Sequence, residues 1–198
     1  PAPGIHRLAL DGPGRPPRGG PAADGPVPYP PPGTNEGETP HPVPRSAAAG
    51  GNRRELALAH NGNLINAVEL HAELRERGVT FSSTSDSEII AALLATHPAD
   101  DIEDAIVDVM PRLQGAFSTV VMTKKRVYAF RDPAGVRPLS LGMIGDSYCV
   151  ASETCAFDII GAKHLRDVAP GELVSLGDDG IRTRQVVTHR VMKPLWPF

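Results

Sequence analysis

Residues 60–66 read His60-Asn61-Gly62-Asn63-Leu64-Ile65-Asn66, and residues 84–88 read Thr84-Ser85-Asp86-Ser87-Glu88. The first run follows an apolar stretch, Leu56-Ala57-Leu58-Ala59, which has the length of a short buried strand. A strand ending in Asn-Gly would leave a backbone amide and a side-chain amide exposed at its tip, and two such donors can hold a developing oxyanion. In the second run Ser85 fits a helix N-cap with Glu88 three residues on, the pattern of a reciprocal capping box. Asp86 would then open the helix, where the helix dipole favours its ionised form and it could receive an ammonium group.

Helical periodicity continues on both sides of this second run. Asn66 to Arg77 carries Val68, Leu70 and Leu74 among charged residues, and Gly78 fits a C-cap. Asp86 to Thr96 is apolar at Ile89, Ile90, Leu93 and Leu94. Asp101 to Leu113 is apolar at Ile102, Ile106, Val109 and Leu113, with Pro111 expected to bend or shorten its end. The period then changes to that of strands: Ala116 to Thr123, Val127 to Arg131, Leu139 to Ile144, Ser147 to Ser152, Glu172 to Leu176 and Ile181 to Val187. A short helix, Thr154 to Gly161, is apolar at Phe157, Ile159 and Ile160. Helices followed by hairpins whose strands are apolar on both faces give an α+β domain with sheets covered by helices.

Residues 1–50 differ from the rest. They hold 14 of the 21 prolines and 9 of the 20 glycines, so no helix or strand is expected there. A disordered head accounts for this composition. Translation out of frame from a GC-rich gene accounts for it too, and for the abrupt change near Gly50 to Arg54. Residues 51–187 form the expected domain and 188–198 an irregular tail.

Composition bounds the function as well. The formal net charge of −3 offers no general basic surface for nucleic acid, and no run of about 18 apolar residues could span a membrane. The cysteines, Cys149 and Cys155, form no disulfide framework, which suits a reducing cytoplasm. Histidines and carboxylates show no metal-ligand spacing, and no glycine-rich phosphate loop occurs.

Four runs in order, LAHNGNLINAVEL (58–70), GVTFSSTSDSEII (78–90), FRDPAGVRPL (130–139) and VASET (150–154), resemble the class II glutamine amidotransferase domain of the amidophosphoribosyltransferase family. The resemblance covers about residues 51–187. It implies the four-layer αββα fold of N-terminal nucleophile hydrolases, incomplete at its N-terminus and with sheet edges left exposed. It also implies glutamine hydrolysis, with ammonia passed to phosphoribosyl pyrophosphate at the first step of purine synthesis. Carried onto this chain, Asn61 and Gly62 form the oxyanion hole and Asp86 binds the α-ammonium of glutamine. His60 has a positioning role in the loop. The family's leading cysteine nucleophile and the arginine that holds the α-carboxylate have no counterpart here, so the chain is expected to be inactive.

Other assignments follow from the same resemblance. Asp132, Gly135, Arg137 and Pro138 are expected to form a structural turn with an internal Asp–Arg contact and no catalytic role. Cys149 and Cys155 are expected to be buried, inert thiols. No cofactor is expected on this chain, although full-length family members use magnesium and some hold an iron–sulfur cluster. Glutamine is the expected partner, with homo-oligomers formed by the full-length enzyme. Two alternatives stand beside this assignment: a non-catalytic module that senses glutamine or binds a partner, and another class II amidotransferase such as glucosamine-6-phosphate synthase. Taken singly, Asn61-Gly62 also fits an ordinary turn, and Asp86 an ordinary helix-start carboxylate.

Overall fold

The computed structural model describes the backbone of residues 43–49 and 52–188, and the side chains of residues 55–188. Two antiparallel sheets face each other with helices on both outer sides, an αββα stack. The first sheet has the order β1-β2-β3-β4-β8-β9, built from Val43–Ala49, Asn52–Leu64, Gly115–Met122, Val127–Arg131, Glu172–Gly177 and Gly180–Gln185. The second has the order β6-β5-β7, from Ser147–Ala151, Ser140–Ile144 and Lys163–Asp167. β7 was not expected from its polar sequence. Its conformation comes from pairing with β5 rather than from propensity.

The alternation of strand residues separates the layers. Leu56, Leu58 and Leu64 of β2, with Phe117, Val121, Tyr128 and Phe130, point to a core shared with α1 (Ala67–Glu76), α2 (Asp86–Ala95) and α3 (Ile102–Val109). Val120, Ala129, Val174 and Leu176 point the other way, onto Leu141, Tyr148 and Val150 of the second sheet and Leu139 just before β5. On that sheet's outer side Cys149 and Ala151 meet Phe157 of α4, Cys155–Ile160. α2 is buried along most of its length, as its continuous run of Ile, Ala and Leu requires. α3 ends in one 3-10 turn, Met110–Arg112, where Pro111 interrupts the α-helix as expected.

Several local expectations are corrected. β1 lies within the stretch read as shapeless; its conformation is imposed by seven-residue pairing with β2, and as an edge strand it tolerates Pro44. Residues 1–42 and 50 of that head lie outside the described residues, as do residue 51 and the tail from residue 189. Val68 and Ile159, assigned to apolar faces, are 83% and 84% exposed. Cys155, expected to be buried, is exposed.

Candidate functional site

β2 does not stop before the Asn-Gly pair. The strand runs on through His60, Asn61, Gly62 and Asn63 to Leu64, all paired with β3. His60 is therefore a strand residue, not a loop residue. What frees the Gly62 amide is the alternation of the ladder, not the end of a strand. Opposite Gly62 stands Phe117. The Phe117 carbonyl accepts from Asp132 N at 2.8 Å, and its N–H donates to Asp132 Oδ2 at 3.3 Å. Both Phe117 groups thus face β4, which makes Gly62–Phe117 a pair without hydrogen bonds between its members. The N–H and C=O of Gly62 consequently face the other edge of β2, where the described part of β1 pairs only as far as Leu58.

Asp86 meets the same edge. Ser85 caps α2 by accepting from Glu88 N at 3.3 Å, which sets Asp86 as the first helical residue. Its Oδ2 accepts the Leu64 N–H at 2.7 Å. Leu64 is two residues from Gly62, so the two N–H groups lie on one side of the strand about 7 Å apart. A five-carbon amino acid can bridge that distance, with its ammonium at the carboxylate and its side-chain carbonyl at Gly62. Asn61 is exposed, and its side chain points to the opposite face from that of Leu64. Among the described residues the Asn61 side chain makes no hydrogen bond, so its amide is available to a ligand.

The backbone of β2 comes unusually close to β3 here. Gly62 has φ +149°, and a Cβ on it would lie 2.0 Å from the Ala116 carbonyl oxygen and 2.7 Å from the Phe117 Cα. Glycine is required by that contact.

Burial works against the ionised form expected for Asp86. Half-burial pushes its carboxyl above the ordinary value, and the Leu64 hydrogen bond offsets this only in part. Glu88 does not complete a reciprocal capping box. Its carboxylate turns to the preceding loop, accepting from Ser82 N, Ser82 Oγ, Ser83 N and Ser83 Oγ at 2.7–2.9 Å. Burial is the largest single influence on Glu88 and opposes ionisation. The four donors together outweigh it and hold the carboxyl below its ordinary value.

Asn66, the last residue of the first motif, fastens α1 to the start of β3. Its Nδ2 donates to the Arg112 carbonyl at 2.9 Å and its Oδ1 accepts from Gln114 N at 3.1 Å. This role was not assigned from sequence; a polar residue recurring three positions after Asn63, at a helix N-cap, is the signal that carries it.

The Asp132 turn also departs from expectation. Asp132 is fully buried, and its contact with Arg137 is to the backbone N–H, not to the guanidinium. The neighbouring Arg131 supplies the guanidinium clamp, donating to the carbonyls of Arg137, Val168 and Gly135 at 2.6–2.8 Å.

Neither thiol lies near these groups. Cys149 faces α4 and Cys155 opens it, so the second sheet stands between both sulfurs and the first sheet. Burial pushes the Cys149 thiol up. Among the described residues no three His, Cys, Asp or Glu side chains gather as a metal site. None of the described helices is long and apolar enough to cross a membrane.

The sequence pattern of the glutamine amidotransferase domain matches residues 48–158, more than half of the chain. The chain belongs to the glutamine amidotransferase domain family. Among curated relatives, the amidophosphoribosyltransferase of Bacillus subtilis is 44% identical over 134 residues, covering 68% of this chain and 28% of the relative. That of Mycobacterium bovis is 46% identical over 152 residues, covering 74% and 28%. The solved glutamine phosphoribosylpyrophosphate amidotransferase of B. subtilis, complexed with ADP and GMP, superposes with TM-score 0.70 at 40% identity, over 75% of this chain and 32% of that one. The chain thus spans under a third of the length of these relatives. The likeness to the solved amidotransferase confirms the N-terminal nucleophile hydrolase fold expected from sequence.

Proposed function

We propose that this domain binds glutamine along the edge of β2 beyond its described pairing with β1, for the ammonia-supplying half-reaction of an amidophosphoribosyltransferase. Asp86 takes the α-ammonium, and Asn61 with the Gly62 N–H meets the side-chain carbonyl. The hydrogen bond from Leu64 N to Asp86 Oδ2 carries this assignment, because it brings the helix-tip carboxylate to the strand edge on which the Gly62 amide opens. In glutamine hydrolysis a thiolate adds to the side-chain carbonyl, and the tetrahedral intermediate carries its negative charge on that oxygen. Donors already aimed at that position stabilise the charge, and loss of one typically costs about 3 kcal/mol. The ammonia released would go to phosphoribosyl pyrophosphate, the substrate in the name of the solved B. subtilis relative. A reducing compartment, the cytoplasm, suits this work and the two free thiols.

The 198-residue chain itself is proposed to bind glutamine without hydrolysing it, since both of its thiols belong to the outer layer of the second sheet. The test is titration of the purified chain with L-glutamine by calorimetry, followed by measurement of ammonia in the same samples. Binding in the millimolar range or tighter, lost in Asp86→Ala and unaccompanied by ammonia, is the expected result. Turnover above the buffer background would show that the chain has a working nucleophile, and binding unchanged by Asp86→Ala would remove the carboxylate from the site.

A further inference from the structure

Asp132 is fully buried, and its carboxylate accepts three hydrogen bonds, all from backbone N–H groups: Val136 at 3.0 Å on Oδ1, and Arg137 at 3.0 Å and Phe117 at 3.3 Å on Oδ2. Its own N–H donates to the Phe117 carbonyl at 2.8 Å, and its carbonyl accepts from Gly171 N at 3.2 Å. The side chain therefore takes the place of a main-chain carbonyl at the end of the β3–β4 ladder. The strand can leave the sheet there without orphaning the Phe117 amide, which in a buried position would be costly.

We infer that Asp132 is a positioning residue for the Gly62 donor, acting through Phe117. Phe117 and Gly62 are directly paired, and their backbones are so close that no side-chain carbon fits between them. A displacement of Phe117 is thus passed to Gly62 without a compliant side chain to absorb it. Asp132 fixes Phe117 from the far side at both of its polar groups, and the loop it gathers is held from outside by the three Arg131 hydrogen bonds. A carboxylate suits this place better than an amide. It accepts at both oxygens, whereas an asparagine would turn an NH2 group toward N–H donors. The inference rests on the proposed contact between the Gly62 N–H and the side-chain carbonyl of glutamine.

The test compares two ligands on the full 198-residue chain, L-glutamine and L-norvaline, which shares the α-ammonium and α-carboxylate but lacks the side-chain amide. Calorimetry gives both affinities, and circular dichroism follows folding. The unsubstituted chain should prefer glutamine by about five- to tenfold, the worth of one or two hydrogen bonds. In Asp132→Asn that preference should fall at least threefold while norvaline affinity stays within about twofold. A merely structural role would lower both affinities together or neither, and either outcome overturns the inference while leaving the Asp86 and Gly62 assignment standing. Absence of any glutamine preference in the unsubstituted chain overturns the assignment and the inference with it. If Asp132→Asn does not fold, Arg131→Gln loosens the same loop from its partly exposed side. It should lose part of the glutamine preference, and an unchanged ratio would overturn the inference.

Discussion

Gly62 shows how much one missing side chain decides. Its positive φ and its closeness to the Ala116 carbonyl leave no room for a methyl group, so Gly62→Ala must push β2 and β3 apart or twist the peptide. Strain and overpacking together predict a loss of about 3 kcal/mol or more, measurable as a shift in the urea midpoint at constant m-value. The Asn-Gly pair could be picked out from the sequence, but its placement within a strand could not. Sequence favours a turn for Asn-Gly, and here β3 imposes an extended chain on it. Asp132 is a similar case: a turn with an Asp–Arg contact was legible, while the carboxylate's bond to Phe117 is a contact across 15 residues that no local pattern signals.

At the scale of elements, the N-terminus of α2 combines opposing charges of environment. Glu88, held below its ordinary carboxyl value by the Ser82 and Ser83 donors, contributes stability that is present above pH 4.5 and is lost as the pH falls through its depressed folded value. Asp86, raised by burial, works in the opposite sense: its contribution is favourable below pH 3.8 and is lost as the pH rises through its elevated folded value. Glu88→Gln should therefore lower stability at neutral pH by about 1–3 kcal/mol and flatten the acid limb of the stability curve, as followed by thermal melts across pH. The helix start was legible from Ser85 and Glu88. The partner of Glu88 was not, because the serines it binds lie before the cap rather than at it, in a loop whose path depends on how α2 packs against β2.

For the whole molecule, the sheet-to-sheet layer is what joins the helix-covered half to the half that carries the cysteines. Leu141 is 1% exposed within it, among residues from both sheets. Leu141→Ala should cost about 2–5 kcal/mol in denaturant unfolding, since a cavity between two sheets cannot collapse without moving strands. The glutamine binding proposed at the edge of β2 should survive in the folded fraction, because that edge is built against α2 on the opposite side of the first sheet.

The sequence by itself determined the periods of three helices and most strands, the α+β class, the order of motifs that marks the family, and the residue types at the site. These follow from local propensity, from hydrophobic alternation and from motif spacing. Only the tertiary structure decided that the Asn61-Gly62 pair lies within a strand, that Gly62 and Asp86 share one edge of it, and that both thiols lie beyond the second sheet. Those outcomes depend on which strands pair and in what register, and pairing joins residues tens of positions apart whose identities do not reveal the partner.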